Sequence, residues 1–168
     1  LNSMDNGIHR YGARSCWCYI HNALAEAQAA CGLVDEAIAS ASKAVDIAQK
    51  AGEPVHVAYG YGTRGEIRSR SVHTAEAAAD YRHALQLATK HGMRPLQAHC
   101  HAGLARLMQA SDAGKAAREA ALARALFDEL GLGRFAAALA TEAAARLPAN
   151  RPLPISESSR SDPSRPLR

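Results

Sequence analysis

Aromatic side chains are scarce in this chain: one Trp, five Tyr and two Phe among 168 residues. That excludes a core built on large rings. Leu, Ile, Val and Phe together number 29, whereas alanine alone numbers 38, so any interior must be thin and made by close approach of backbones. So low an aliphatic share borders on that of disordered chains, but the net charge is only +4, and abundant Ala, Leu, Glu, Lys and Arg favour folded helices. No run approaches the roughly 18 apolar residues of a membrane-spanning helix. Nor does a basic segment followed by an apolar run and a cleavage site open the chain, so a cytoplasmic location is expected. Leu1 in place of Met reads as the start of a piece of a longer protein.

Charge of one sign is not concentrated anywhere. Residues 1–147 carry 16 Lys and Arg against 14 Asp and Glu. No Lys/Arg stripe interleaved with aromatics is present, so nucleic acid is not an expected partner. Cys16, Cys18, Cys31 and Cys100 lack the spacing of a disulfide framework and are expected to be reduced thiols.

What is present is periodicity. Gly52, Gly92 and Gly131 each close an Ala-rich amphipathic run, AVDIAQKAG, ALQLATKHG and ARALFDELG, at steps of 40 and 39 residues. Counted back from each glycine, Ala44, Ala84 and Ala123 share one position, and Ala37, Ala77 and Ala116 another. The two positions lie seven residues apart, which is two helical turns, so each pair shares a face that a neighbouring helix can approach closely. Turn residues divide the chain into seven predicted helices at about 10–31, 34–51, 54–70, 74–91, 94–110, 113–130 and 133–147. Gly32, Gly52, Gly92 and Gly131 suit the left-handed residue after a helix end, and Pro54 and Pro95 suit the start of the next helix. Residues 1–147 thus form one all-α repeat domain of about 147 residues, close to the usual size of a single domain. Residues 148–168, PANRPLPISESSRSDPSRPLR, turn abruptly to Pro, Ser and Arg and hold five of the seven prolines; a disordered tail is expected, with a Pro-rich docking segment as the other reading.

The segments LAEAQAACGLVDEAIASASKAVDIAQKAGE, YRHALQLATKHGMRPLQAHCHAGLARL and REAALARALFDELGLGRF resemble tetratricopeptide (TPR) repeats of the longer, roughly 40-residue kind. More narrowly, residues 12–147 resemble the C-terminal helical region of large bacterial proteins that join a class III adenylate or guanylate cyclase domain, an AAA-type signal-transduction ATPase and such repeats. The resemblance implies an α-solenoid of three helix-turn-helix units with a C-terminal capping helix. It also implies a non-catalytic interaction and scaffolding role, in the regulatory part of a signalling ATPase, nucleotide cyclase or transcriptional regulator. Two departures bear on packing: Thr63 and Arg64 stand before Gly65 where Leu-Leu is usual, and the turn near Ser111 and Asp112 is one residue short. Neither a cyclase carboxylate motif nor a G-x-x-x-x-G-K-[ST] phosphate loop occurs, so no catalytic residue and no cofactor is expected.

In such stacks the first helix of each pair lines a concave groove. The resemblance places Tyr19, Asn22 and Glu26 there in the first unit, Tyr59, Glu66 and Arg70 in the second, and His99, Arg106 and Gln109 in the third. Aromatic anchors with directed Arg hydrogen bonds suit a protein or peptide ligand, or another domain of the same polypeptide. The competing readings are a metal or thiol site using Cys16, Cys18 and His21 or His99 and Cys100, and a helical self-association module giving a homo-oligomer. Residues i and i+2 of a helix point about 200° apart, so neither Cys16 with Cys18 nor His99 with His101 shares an ion easily; Cys18 with His21 can. Metal binding is therefore not the expectation. A nucleophilic Cys100 would need His99 or His101 as base, and both project to other faces. G-Y-G-T-R-G at Gly60, Gly62 and Gly65 falls inside a helix with no preceding strand, so close helix packing explains it better than a phosphate loop.

Overall fold

A computed structural model describes residues 2–146, with side chains placed for 16–139 and 141. Seven helices follow one another: α1 Asn2–Ala30, α2 Val34–Ala51, α3 Pro54–Ser69, α4 Thr74–Lys90, α5 Arg94–Met108, α6 Ala113–Glu129 and α7 Gly133–Arg146. The described residues contain no strand, and no helix among them is long and apolar enough to cross a membrane. The boundaries match the turn residues, except that α1 begins at Asn2 rather than near residue 10. A lone Gly7 costs about 1 kcal/mol in a helix and does not stop it. The segment 148–168 lies outside the described residues.

Four helix ends share one cap. Gly32, Gly52, Gly92 and Gly131 all take φ between 66° and 80°, and the N–H of the following residue reaches the carbonyl five residues back. These bonds are Leu33 to Gln28 at 2.9 Å, Glu53 to Ala48 at 3.0 Å, Met93 to Ala88 at 2.8 Å and Leu132 to Phe127 at 2.8 Å. Glycine is needed because a side chain would be strained at positive φ. The shortened turn after α5 is closed differently: Asp112 Oδ1 accepts from the Lys115 N–H at 2.9 Å and caps α6 directly.

Each helix packs on the next in sequence, and α1 also touches α3, as α3 touches α5. Alanine makes these approaches possible. Ala37, Ala44, Ala77, Ala84, Ala116 and Ala123 are all buried, as their seven-residue spacing predicts. The G-Y-G-T-R-G glycines serve packing too: a Cβ on Gly60 would meet Val45 Cγ2 at 2.7 Å, and one on Gly62 would meet Leu96 Cδ1 at 3.0 Å.

Arg64 on α3 finds a partner on α4. Asp80, with a side chain only 4% exposed, accepts from Arg64 Nε at 3.0 Å and Nη2 at 2.8 Å, and from Arg68 Nη1 at 2.7 Å. Arg64 Nη1 also donates to Ser42 Oγ at 3.1 Å, and its guanidinium lies 5.0 Å from the centre of the Tyr61 ring. Burial alone would lower the Arg64 pKa, but the hydrogen bonds and charge of Asp80 raise it. A largely buried ion pair thus joins α3 to α4 on this surface.

Candidate functional site

An open cleft of about 520 Å³ runs over α3 and α5. Its lining comes almost wholly from odd-numbered helices: Glu26 from α1; Tyr59, Gly62, Thr63, Glu66 and Arg70 from α3; Pro95, Leu96, His99 and Arg106 among others from α5; and Phe135 from α7. Glu66, Arg70 and Arg106 continue into an adjoining hollow with Gln109 and Ser69. Seven of the nine groove positions expected from the resemblance therefore gather on one connected surface.

Glu66 is its electrostatic centre. Its Oε2 accepts from Tyr81 Oη at 2.6 Å and Arg106 Nη2 at 2.5 Å, and its Oε1 accepts from Arg70 Nε at 3.2 Å and Nη2 at 3.0 Å. Burial would raise its pKa, but the Tyr81 hydrogen bond and the two guanidiniums outweigh that and hold the carboxyl below its ordinary value. Burial and the Glu66 charge in turn push the Tyr81 phenol up. The result is a charged strut joining α3, α4 and α5 along the cleft, with the Arg70 side chain largely exposed.

His99 stands edge-on to two phenyl rings, 5.3 Å from the centre of Phe127 and 5.4 Å from that of Phe135, which stack on each other at 5.6 Å. Burial lowers the His99 pKa; the Glu66 charge opposes that and Arg106 adds to it. Tyr59 is 47% exposed and Phe135 41%. Apolar rings at the rim and donors at one end suit an extended chain segment.

Two expected residues do not line the cleft. Tyr19 is 69% exposed on α1, at the edge of a surface centred on α3 and α5. Asn22 is only 9% exposed, and its Oδ1 has no hydrogen-bond partner among the described residues. The register explains this: the positions 40 and 80 residues on are Gly62 and Ala102, both buried in the cleft floor, where helices approach too closely for an exposed side chain. Sequence reasoning also missed Phe135. Its signal was available, because Leu96 lies four residues after Gly92 and Phe135 four after Gly131, and both line the cleft.

The remaining candidates separate. Cys16 is exposed while Cys18 is wholly buried. Burial, then the charge of Glu53, pushes the Cys18 thiol up. Cys100 is buried among Tyr81, Ala84 and Leu96, and burial pushes its thiol up to about 12. His101 Nδ1 lies 2.6 Å from Glu119 Oε2 across α5 and α6. The His21 pKa is lowered by burial and then by Lys43.

Comparison with protein-family models, with curated proteins and with solved structures finds no match to this chain.

Proposed function

We propose that this chain is a non-catalytic binding and scaffolding module: α1 to α6 form three TPR-like pairs of an α-solenoid, α7 closes it, and the cleft receives an extended protein or peptide segment. One observation carries the reading. Glu26, Glu66 and Arg106, each 40 residues from the next, line a single cleft, as the equivalent groove position of a three-unit repeat would. Tyr59 and Phe135 supply the anchoring rings, and Arg70 and Arg106 the directed donors. The resemblance makes the module the regulatory C-terminal part of a larger bacterial signalling ATPase, nucleotide cyclase or transcriptional regulator. Its occupant is then a separate protein or another domain of the same polypeptide.

The test pairs two variants. Tyr59→Ala is expected to leave the thermal melt nearly unchanged while weakening binding to cleft ligands found on a peptide array. Ala84→Leu would wedge apart α4 and the helices around it, at an overpacking cost of about 1–3 kcal/mol. Equal loss of melting temperature in both would show that Tyr59 belongs to the core and remove the cleft as the binding face. So would unchanged array binding by Tyr59→Ala together with Arg106→Ala.

A second reading rests on the outer face of α1, where Trp17, Ile20 and Leu24 follow helical spacing and are all exposed. Self-association through that stripe predicts a sedimentation mass that rises with concentration and falls to one chain in a Trp17→Glu, Leu24→Glu variant. A concentration-independent single-chain mass for the unaltered protein removes it.

A further inference from the structure

We propose that Cys18, Glu53 and His56 form a three-ligand site for a zinc-class divalent ion where α1 meets the start of α3. One donor atom from each residue lies within 4.8 Å of one from each of the others, and His56 Nδ1 is 2.9 Å from Glu53 Oε2. Around a tetrahedral ion with bonds of about 2.0–2.3 Å, neighbouring donors stand roughly 3.5 Å apart. Closing the group therefore takes movements of about an ångström, which the partly exposed His56 side chain can supply. Cys18 is already fixed, wholly buried beside Val45, Ala48 and Val57.

The donor set selects the ion. Magnesium and calcium take shells of oxygen, whereas thiolate, imidazole and carboxylate together suit zinc and its spectroscopic surrogate cobalt. A thiolate, a carboxylate and a neutral imidazole also cancel the charge of a divalent ion, so the occupied site can sit against apolar side chains without an uncompensated buried charge. On binding, the Cys18 thiol gives its proton to solvent, and the metal takes over the contacts the three groups otherwise make. Three protein ligands leave the fourth tetrahedral position to water, on the side where His56 reaches the surface. None of the three residues lines the cleft, but Glu53 and His56 stand at the N-terminal end of the helix that carries Tyr59, Glu66 and Arg70. The ion would anchor that helix to α1.

The experiment is a cobalt(II) titration of the purified, chelator-treated chain. The expected result is one equivalent per chain, with an intense thiolate-to-cobalt charge-transfer band in the near ultraviolet and tetrahedral d–d bands in the visible, both abolished by zinc. Cys18→Ala and His56→Ala lose the charge-transfer band, Glu53→Gln weakens cobalt affinity at least tenfold, and Cys16→Ala and Cys31→Ala leave both unchanged. His56→Ala keeps the metal-free melting curve, so its loss of cobalt is not unfolding. The proposal is overturned if no charge-transfer band develops at one equivalent, if the band survives Cys18→Ala or disappears with Cys16→Ala, or if His56→Ala and Glu53→Gln both bind cobalt as the unaltered chain does.

Discussion

Replacing Gly103 with alanine is expected to destabilise the fold by about 3 kcal/mol, the upper end of the usual overpacking range. The Tyr81 ring, 2% exposed, reaches from α4 between two helices that each present a glycine to it. A Cβ on Gly65 would lie 3.2 Å from Tyr81 Cδ1, whereas one on Gly103 would lie 2.6 Å from Cε2 and closer still to Cζ. The ring cannot swing aside without breaking the 2.6 Å hydrogen bond from its hydroxyl to Glu66, so the added methyl must push α5 away. At roughly 2–4 °C per kcal/mol for a chain of this size, thermal melts should place the variant about 6–12 °C below the unaltered protein. Two controls isolate the cause. Gly133 meets nothing within 4 Å and has no positive φ, so Gly133→Ala should be neutral or slightly stabilising, by a few tenths to about 1 kcal/mol. Tyr81→Leu should recover part of the Gly103→Ala loss, because it removes the obstructing ring. An unchanged melt for Gly103→Ala would mean that Tyr81 does not sit between α3 and α5.

Asp80→Ala is expected to be at least as damaging, about 3–5 kcal/mol, for an electrostatic reason. It would leave the Arg64 and Arg68 guanidiniums, whose side chains are 16% and 21% exposed, without their shared counter-charge. Arg68 can turn toward water more readily than Arg64, which is also tied to Ser42. Most of the penalty should therefore reside in Arg64. A double variant, Arg64→Leu with Asp80→Leu, should lose much less than the sum of its single changes, because apolar side chains take the place of the buried pair and only the more exposed Arg68 is left without its partner. Urea unfolding of both single variants and the double variant measures that coupling. Additive losses, with no recovery in the double variant, would show that Arg64 and Asp80 do not act as a buried pair.

These two sites also mark how far the fold can be read in the chain. The ends of α1, α2, α4 and α6 were legible because each carries a glycine that tolerates positive φ, with a proline starting the next helix after two of them. The cleft was legible in part because its lining repeats every 40 residues. Asn22 lies in the packed floor rather than on the open face because its position, shared with Gly62 and Ala102, is where the helices approach closely. The Arg64–Asp80 pair was hidden because it joins residues 16 apart on different helices, and Arg64 alone reads only as a misplaced charge. Cys18, Glu53 and His56 were harder still. Their nearness depends on how α1 lies against α3, whereas the sequence places only Cys16 and His21, of the other candidate ligands, beside Cys18.

Because contacts run mainly between sequence neighbours, cooperativity in this molecule is graded along its length. Among the described residues α7 packs on α6, its Ala136 and Leu139 join the buried cluster of Ala98, Ala102, Ala123 and Phe127, and Phe135 stands against His99 and Phe127. Hydrogen exchange is expected to show α7 opening more readily than α3 to α5, because it packs on neighbours from one side of the stack alone. Phe135 travels with it. Because Phe135 also lines the cleft beside the Glu66 hydrogen-bond network, whatever fills the cleft would, on the proposed reading, add to the order of α7.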